Sequence, residues 1–345
     1  MWLDRGFAWL FGFNHEESIR CFEKSLDFDE SCVMSYWGIA HAIGPNYNKV
    51  WDFFRYKEKV MALEKANEAL NNAKKYYGNS SDVERAMIDA LAERFPTDPN
   101  IKDYSPWNNA FSDSMRKVYN SYPNDLEVTA FFAEALINRT PWQLWDLKNR
   151  TPAEGASTIE AQNILEKAFA SSQKAWEHPG LLHMYIHLME MSPNPEKALL
   201  HGDKLVNLVP DSGHLVHMAT HIDVLCGDYQ NVVSRNHQAT EVDKKFVNYA
   251  GAENFYTVYR VHNLHFKIYG AMFLAQPTPA LSAANQLKEI LPEKVVRLIP
   301  ELFEAFIPMN LHVMVRFGKW QEILLEEFPE DKELYSFTTT MLHLS

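Results

Sequence analysis

Two stretches of the chain place histidines at the spacing that metal ligation uses on a helix. "HPGLLHMYIHLMEMS", from His178 to Ser192, carries His183 and His187, and "SGHLVHMATHIDVLCG", from Ser212 to Gly227, carries His214, His217 and His221. Both predict amphipathic helices with histidine where a packed helix ordinarily carries leucine. Residues four apart share one helix face, and the pair His183/His187 recurs 34 residues later as His217/His221. Neighbouring helices pack about 8–10 Å apart, so the expectation is four imidazoles facing one patch. Burying several imidazoles is costly unless each has a partner, and clustering keeps them neutral and able to bind a cation. The candidate ligands are His183, His187, His217 and His221, with Glu190, one turn beyond His187, as a further ligand or orienting group. Imidazole with one carboxylate suits a divalent transition metal such as zinc, iron or copper rather than magnesium or calcium, and the residues do not choose among the three. "HMYIH" and "HMATH" lack the glutamate that serves as general base in the H-E-x-x-H protease motif, which speaks against that chemistry. In "YRVHNLHF", His262 and His265 form a further pair on one helical face and are candidates for catalysis. Three uses stand open for these histidines: metal coordination by a subset, which ranks first, acid–base chemistry without metal, and a structural role. The isolated His15, His178, His201, His237 and His343 are read as structural.

The elements that must position these side chains are helices throughout. Apolar residues recur at i, i+3 and i+4 along the 345 residues, and sustained alternation of the strand type is nearly absent. Breakers such as "GFNHEE", "GPNYN", "SYPNDLE", "SPNPEK", "CGDY" and "RFGKW" cut the chain into helix pairs. The composition, 46% hydrophobic and 13% aromatic, is that of a folded protein. With 45 acidic and 33 basic side chains the net charge of −12 opposes binding to nucleic acid or to an anionic membrane surface. No apolar run is long enough to span a bilayer, and the start "MWLDRGFAWLFGFNHEES" lacks the pattern of a signal peptide, so the expected location is the cytoplasm. Cys21, Cys32 and Cys226 form no C-x-x-C pair and suggest neither a disulfide framework nor a thiolate zinc site. A Gly-rich phosphate loop, a G-x-S-x-G turn and a D-x-D-x-D-G calcium loop are all missing, which leaves nucleotide enzymes and serine hydrolases without support.

The helix pairs have an internal repeat. "WLDRGFAWLFGFNHEESIRCFEKSLDFDESCVMSYWGIAHAIG" sets Gly6 and Trp9 on a first helix, Ser18, Phe22 and Ser25 on a second, and Tyr36, Ile39 and Ala40 on the next. This alternation of bulky and small residues resembles the tetratricopeptide repeat. "CGDYQNVVSRNHQAT" and "RFGKWQEILLEEF" are similar to that family in their Gly-x-aromatic turn, and "YNSYPNDLEV" in its closing proline. "FNHEE", "YWGIA" and "GPNYN" resemble stretches of a His-rich bacterial and fungal group within it. The resemblance implies an all-α fold, a right-handed α-α superhelix (a TPR-like solenoid) of about eight degenerate helix pairs forming one domain over 1–345. First helices are expected near 2–12, 33–44, 82–95, 126–138, 179–191, 213–226, 254–272 and 304–317, with insertions near 45–57, 96–106 and 139–156. "ELYSFTTTMLHLS" opens a further helix.

In that family the second, fifth and ninth positions of a first helix face the concave groove. Gly227 and Tyr229 set a register in which His214, His217 and His221 take those positions. His41, Glu134, His187, His221 and His312 then form the ninth-position row, and Glu134 becomes the candidate general base. Aromatics expected along the groove include Tyr36, Trp37, Tyr47, Trp142, Trp145, Tyr185 and Tyr256, about half of them packing residues; with His41, His214 and His312 they are the candidate substrate contacts. The 139–156 insertion, with Trp142 and Trp145, is a candidate lid that would turn the groove into a pocket. Two functions follow. One is a metal-dependent enzyme acting on a small organic molecule in the groove. The other, which the resemblance implies, is a protein partner's extended peptide held along the TPR-like surface; its chaperone-binding members use Lys, Arg and Asn where this chain has His, Trp and Glu.

Overall fold

The helices begin and end where local chemistry says they should. Asn14 accepts the backbone N–H of Glu17, Ser81 and Glu84 form a reciprocal capping box, and Asp125 accepts the N–H of Val128, each at a helix start. His178 caps its helix through Nδ1, which accepts the N–H of Leu181, with Pro179 in the first turn. Gly227, at φ +81°, ends one helix in the left-handed conformation, and Asp228 caps the next by accepting the N–H of Asn231. The Gly-x-aromatic signal is therefore a C-cap followed by an N-cap.

The computed structural model describes all residues, 1–345. It is 69% helical, with two-residue strands Trp145–Asp146 and Thr151–Pro152 as its only paired sheet. Two compact units divide it, Met1–Leu208 and Val209–Ser345. The first holds α1 (Trp2–Phe11), α2 (His15–Leu26), α3 (Val33–Ile43), α4 (Tyr56–Lys75), α5 (Asp82–Ala92), α6 (Ser105–Ser121), α7 (Leu126–Ile137), α8 (Thr158–Ser171), α9 (Pro179–Met189) and α10 (Leu199–Leu205). The second holds α11 (Gly213–Cys226), α12 (Tyr229–Ala250), α13 (Thr257–Phe273), α14 (Pro277–Ile290), α15 (Glu293–Val296), α16 (Pro300–Phe303), α17 (Met309–Arg316), α18 (Trp320–Ile323) and α19 (Ser336–Leu344). The expected all-α, solenoid-like arrangement is what is found: helices pack on their chain neighbours, and the eight expected first helices correspond to α1, α3, α5, α7, α9, α11, α13 and α17. No helix is long and apolar enough to cross a membrane.

In the first unit α1 packs on α2 and α3, α3 on α4 and α5, and α7 on α6, α8 and α9. Phe22 of α2 fills the space left by Gly6 and Gly38, where a Cβ would lie 2.4 and 2.3 Å from its ring. That is the physical content of the bulky–small alternation. The first helices of these pairs also meet one another: Phe131 of α7 lies 5.3 Å from Phe11 and 4.5 Å from Trp37, ring centre to ring centre. Aromatic packing thereby joins α1, α3 and α7.

In the second unit α11 packs on α12 and α13, α13 on α14 and α17, and α14 on α17. Its apolar core runs from Val261, Leu264 and Ile268 through Ala283 and Leu287 to Phe303 and Val313. A buried polar tie fixes α11 against α12 and α13. The Tyr256 hydroxyl donates to Asp243 Oδ1 at 3.0 Å and accepts the His214 N–H at 3.2 Å, while Asn263 donates to Asp243 Oδ2 at 2.8 Å. Gly213 makes room for this carboxylate, since a Cβ there would stand 2.0 Å from Asp243 Oδ1.

Candidate metal centre

Within the second unit, α11 presents His217 and His221 on one face and α13 presents His262 toward them. His217 Nε2 lies 2.9 Å from His221 Nε2, which lies 3.4 Å from His262 Nε2, and the three ligand atoms are all within 4.8 Å of one another. Two imidazole nitrogens about 2.0–2.1 Å from one metal ion stand about 2.9 Å apart at a right angle and about 3.4 Å apart at the tetrahedral angle. The two separations in the structure match these values, so the group could hold a metal ion. His217 is fully buried, His221 is 9% exposed and His262 is half-buried. Phe266 of α13 packs its ring 4.6–4.9 Å from all three imidazoles.

The tautomer of His217 is set from behind. Asn236 on α12 donates through Nδ2 to the Val232 carbonyl at 2.8 Å and to Thr220 Oγ1 at 3.1 Å, which turns its carbonyl oxygen toward the imidazole. His217 Nδ1–H donates to that oxygen at 2.6 Å. Nε2 of His217 therefore carries its lone pair toward His221 and His262. An outer acceptor of this kind is the usual means of orienting a metal-binding histidine. The register of α13, and with it the place of His262, follows from the neighbouring Asn263 and its bond to Asp243. Burial raises the Asp243 carboxyl to about 6, against the opposing hydrogen bond from Tyr256 and the charge of Arg260.

The remaining sequence candidates fall in several places. His183 and His187 belong to the first unit, with rings 4.6 Å apart. His183 Nδ1 donates to the Phe11 carbonyl at 2.6 Å and His187 Nδ1 to Glu190 Oε1 at 2.9 Å, so Glu190 stands as an orienting carboxylate of His187. His214 packs its ring 4.5 Å from Tyr259. His265 is not in the group with His262; its ring lies 5.3 Å from Phe306, and burial, then the neighbouring His312, lower its basicity. His312 itself is exposed. Tyr36 stacks on Tyr76, Tyr185 donates to Glu166 at 3.0 Å and packs on His201, and Tyr256 belongs to the tie on Asp243. These three tyrosines serve packing between helices.

His41 and Glu134, expected in one row, do meet in the first unit: His41 Nε2 lies 3.4 Å from Glu134 Oε2, both buried, with Trp37 stacked on the imidazole. The sequence reading missed Arg94, which is 1% exposed and places Nη1 3.5 Å from His41 Nε2. Burial raises the Glu134 carboxyl to about 7 against the lowering effect of Arg94 and Asn138, and burial and the Arg94 charge hold His41 well below the usual imidazole range. Nothing in the helical periodicity marks Arg94, which follows the end of α5. Beside this cluster the three insertions form a cleft of about 390 Å³, lined among others by Asn46, Trp51, Tyr104, Asn138 and Trp142. The expected lid segment thus forms one wall of a cleft in this unit. Trp142 packs 4.8 Å from Tyr47, and Trp145 anchors the short hairpin by donating to the Leu188 carbonyl at 2.6 Å.

No family model matches this chain, and no curated protein matches it.

Proposed function

We propose that the second unit binds one divalent first-row transition-metal ion through Nε2 of His217, His221 and His262, and that the chain is a metal-dependent enzyme acting on a small organic molecule on a TPR-like helical array. The observation that carries this reading is the pair of Nε2 separations, 2.9 and 3.4 Å, together with the Asn236 oxygen that holds His217 in the ligating tautomer. Three imidazoles are the ligand number of catalytic zinc sites, which leave a fourth position for water or substrate. A metal held there would supply Lewis acidity or an activated water. The half-buried His262 marks the side from which a small molecule would approach.

The test is elemental mass spectrometry of the purified full chain, before and after a chelator, beside the double variant His217→Ala/His221→Ala. About one equivalent of zinc, iron or copper, removed by the chelator and missing from a variant of unchanged helix content, supports the reading. A wild type that takes up no such ion, or a variant that keeps it, refutes the assignment.

Metal-free acid–base chemistry is a second reading, favoured by the buried pair His41 and Glu134 with the Glu134 carboxyl raised to about 7, the range useful to a general base at neutral pH. The peptide-binding reading gains less support, since Phe131, Phe11 and Trp37, on three of the expected first helices, pack on one another rather than standing open to a partner.

A further inference from the structure

We infer that the cleft between the three insertions of the first unit is a binding site for a small organic carboxylate with an apolar body. The cleft brings together segments near 45–52, 94–105 and 138–143, all outside the regular helix pairs, and its volume of about 390 Å³ is in the range of small-molecule sites.

The polar groups on its walls are incompletely satisfied, and they share a character. Four buried donors on lining residues have no hydrogen-bond partner: Arg94 Nε, Trp51 Nε1, the Tyr104 hydroxyl and the Thr140 hydroxyl. Arg94, Trp51 and Tyr104 are each at most 5% exposed. Such groups are rarely left unmade in a native protein. A lone acceptor, Asn138 Oδ1, accompanies them, and its orientation is fixed because Nδ2 of the same amide donates to Glu134 at 3.1 Å. Donors in excess call for a ligand rich in acceptors.

Charge narrows the class. Arg94 donates Nη2 to the Pro45 carbonyl at 2.8 Å and approaches His41 at 3.5 Å, and neither contact neutralises a guanidinium. The acid whose charge acts on it, Glu134, is itself pushed toward the neutral form by burial. A buried guanidinium without a full counter-charge is costly, and its planar fork suits a carboxylate. The lining also carries Lys102 and Arg139 against Asp52 and Asp103, and Asp103 already accepts the Ser105 N–H at 2.9 Å at the start of α6, so with Arg94 the basic side chains outnumber these two acids by one. The walls then argue against a bare inorganic anion. Trp51 and Tyr104 stack with ring centres 4.6 Å apart, and Trp142 stands on another wall, so part of the ligand must be apolar.

The experiment is isothermal titration of the full chain after chelator treatment, which keeps its outcome separate from that of the metal site. The probes are benzoate, phenylacetate and succinate, with benzamide and inorganic phosphate as counterparts. Saturable binding of one of the aromatic carboxylates at one per chain is expected, with benzamide and phosphate each at least about tenfold weaker, and with about a tenfold loss in Tyr104→Phe and in Trp51→Phe, since each removes one donor to a charged ligand. Both variants keep an aromatic ring in place, and circular dichroism confirms that they fold. Absence of binding by every carboxylate, equal binding of benzamide, a preference for phosphate, or affinities untouched by both variants would overturn the proposal.

Discussion

Replacing Asn236 by leucine tests the metal centre at the point where the fold and the chemistry meet. The side chain is fully buried on α12, and leucine keeps its branched outline with two methyl groups in place of the amide, so the change removes the polarity and adds some bulk. What is lost is the 2.6 Å acceptor for His217 Nδ1–H and the two donor bonds, to Thr220 and Val232, that aim it. Without that acceptor the imidazole can turn or take the other tautomer, in which Nε2 carries the proton and cannot ligate. Loss of an outer-shell partner of this kind costs about 10–100-fold in metal affinity, or about 1.4–2.7 kcal/mol. Losing the acceptor of a buried donor also costs about 1–3 kcal/mol of stability, so the measurement is made well below the unfolding temperature. The assay is cobalt(II) titration of the chelator-treated protein, followed by absorption and competed with a chelator of known affinity. Asn236→Asp serves as the companion, because a carboxylate retains the acceptor; its affinity should stay within a few-fold of wild type or exceed it. A leucine variant that binds cobalt as tightly as wild type would refute the role of Asn236, and with it the assigned tautomer of His217.

His262→Ala should remove most metal binding while His265→Ala leaves it within about threefold, as read by the same cobalt titration; the reverse pattern would mean that the wrong histidine of the pair has been chosen, and equal losses would refute the distinction. Gly213→Ala places a Cβ 2.0 Å from Asp243 Oδ1 and 2.9 Å from the Ala239 carbonyl, so denaturant unfolding should register a loss of about 1–3 kcal/mol. His201, boxed by Trp176, Phe169 and Tyr185, is held at about 4 by burial. The unfolded chain therefore binds this proton below about pH 6.5 while the folded chain does not, and stability falls on acidification toward pH 4 with a slope of up to about 1.4 kcal/mol per pH unit from this residue. His201→Leu should flatten the profile by that amount between pH 6 and 4, and an unchanged slope in urea titrations would show that the residue is not the origin.

The parts legible in the sequence are those where a short-range rule decides the outcome. The alternation of Gly6, Ser18 and Phe22 announced helix packing because only a missing Cβ admits the Phe22 ring, and Gly227 announced a helix end because its φ of +81° suits glycine. His217 and His221 were legible as a pair because four residues on a helix return to the same face. The third member was harder: His262 and His265 both lie on α13, and which of them meets His221 depends on the contact of α13 with α11 through Tyr256 and Asp243, which no local spacing encodes. Asn236 was invisible for a related reason, since it sits mid-helix among polar residues and its role comes from a partner 19 positions away. Arg94 was missed because its burial depends on three irregular insertions folding over it, and irregular segments carry no periodicity to read.

The most direct test of the account is anomalous diffraction at the zinc absorption edge from crystals of the full chain grown with zinc. A single strong peak within the second unit, about 2.0–2.2 Å from Nε2 of His217, His221 and His262, is the predicted result. No peak at saturating zinc, or one bound elsewhere with these three nitrogens joined only to one another, would contradict it.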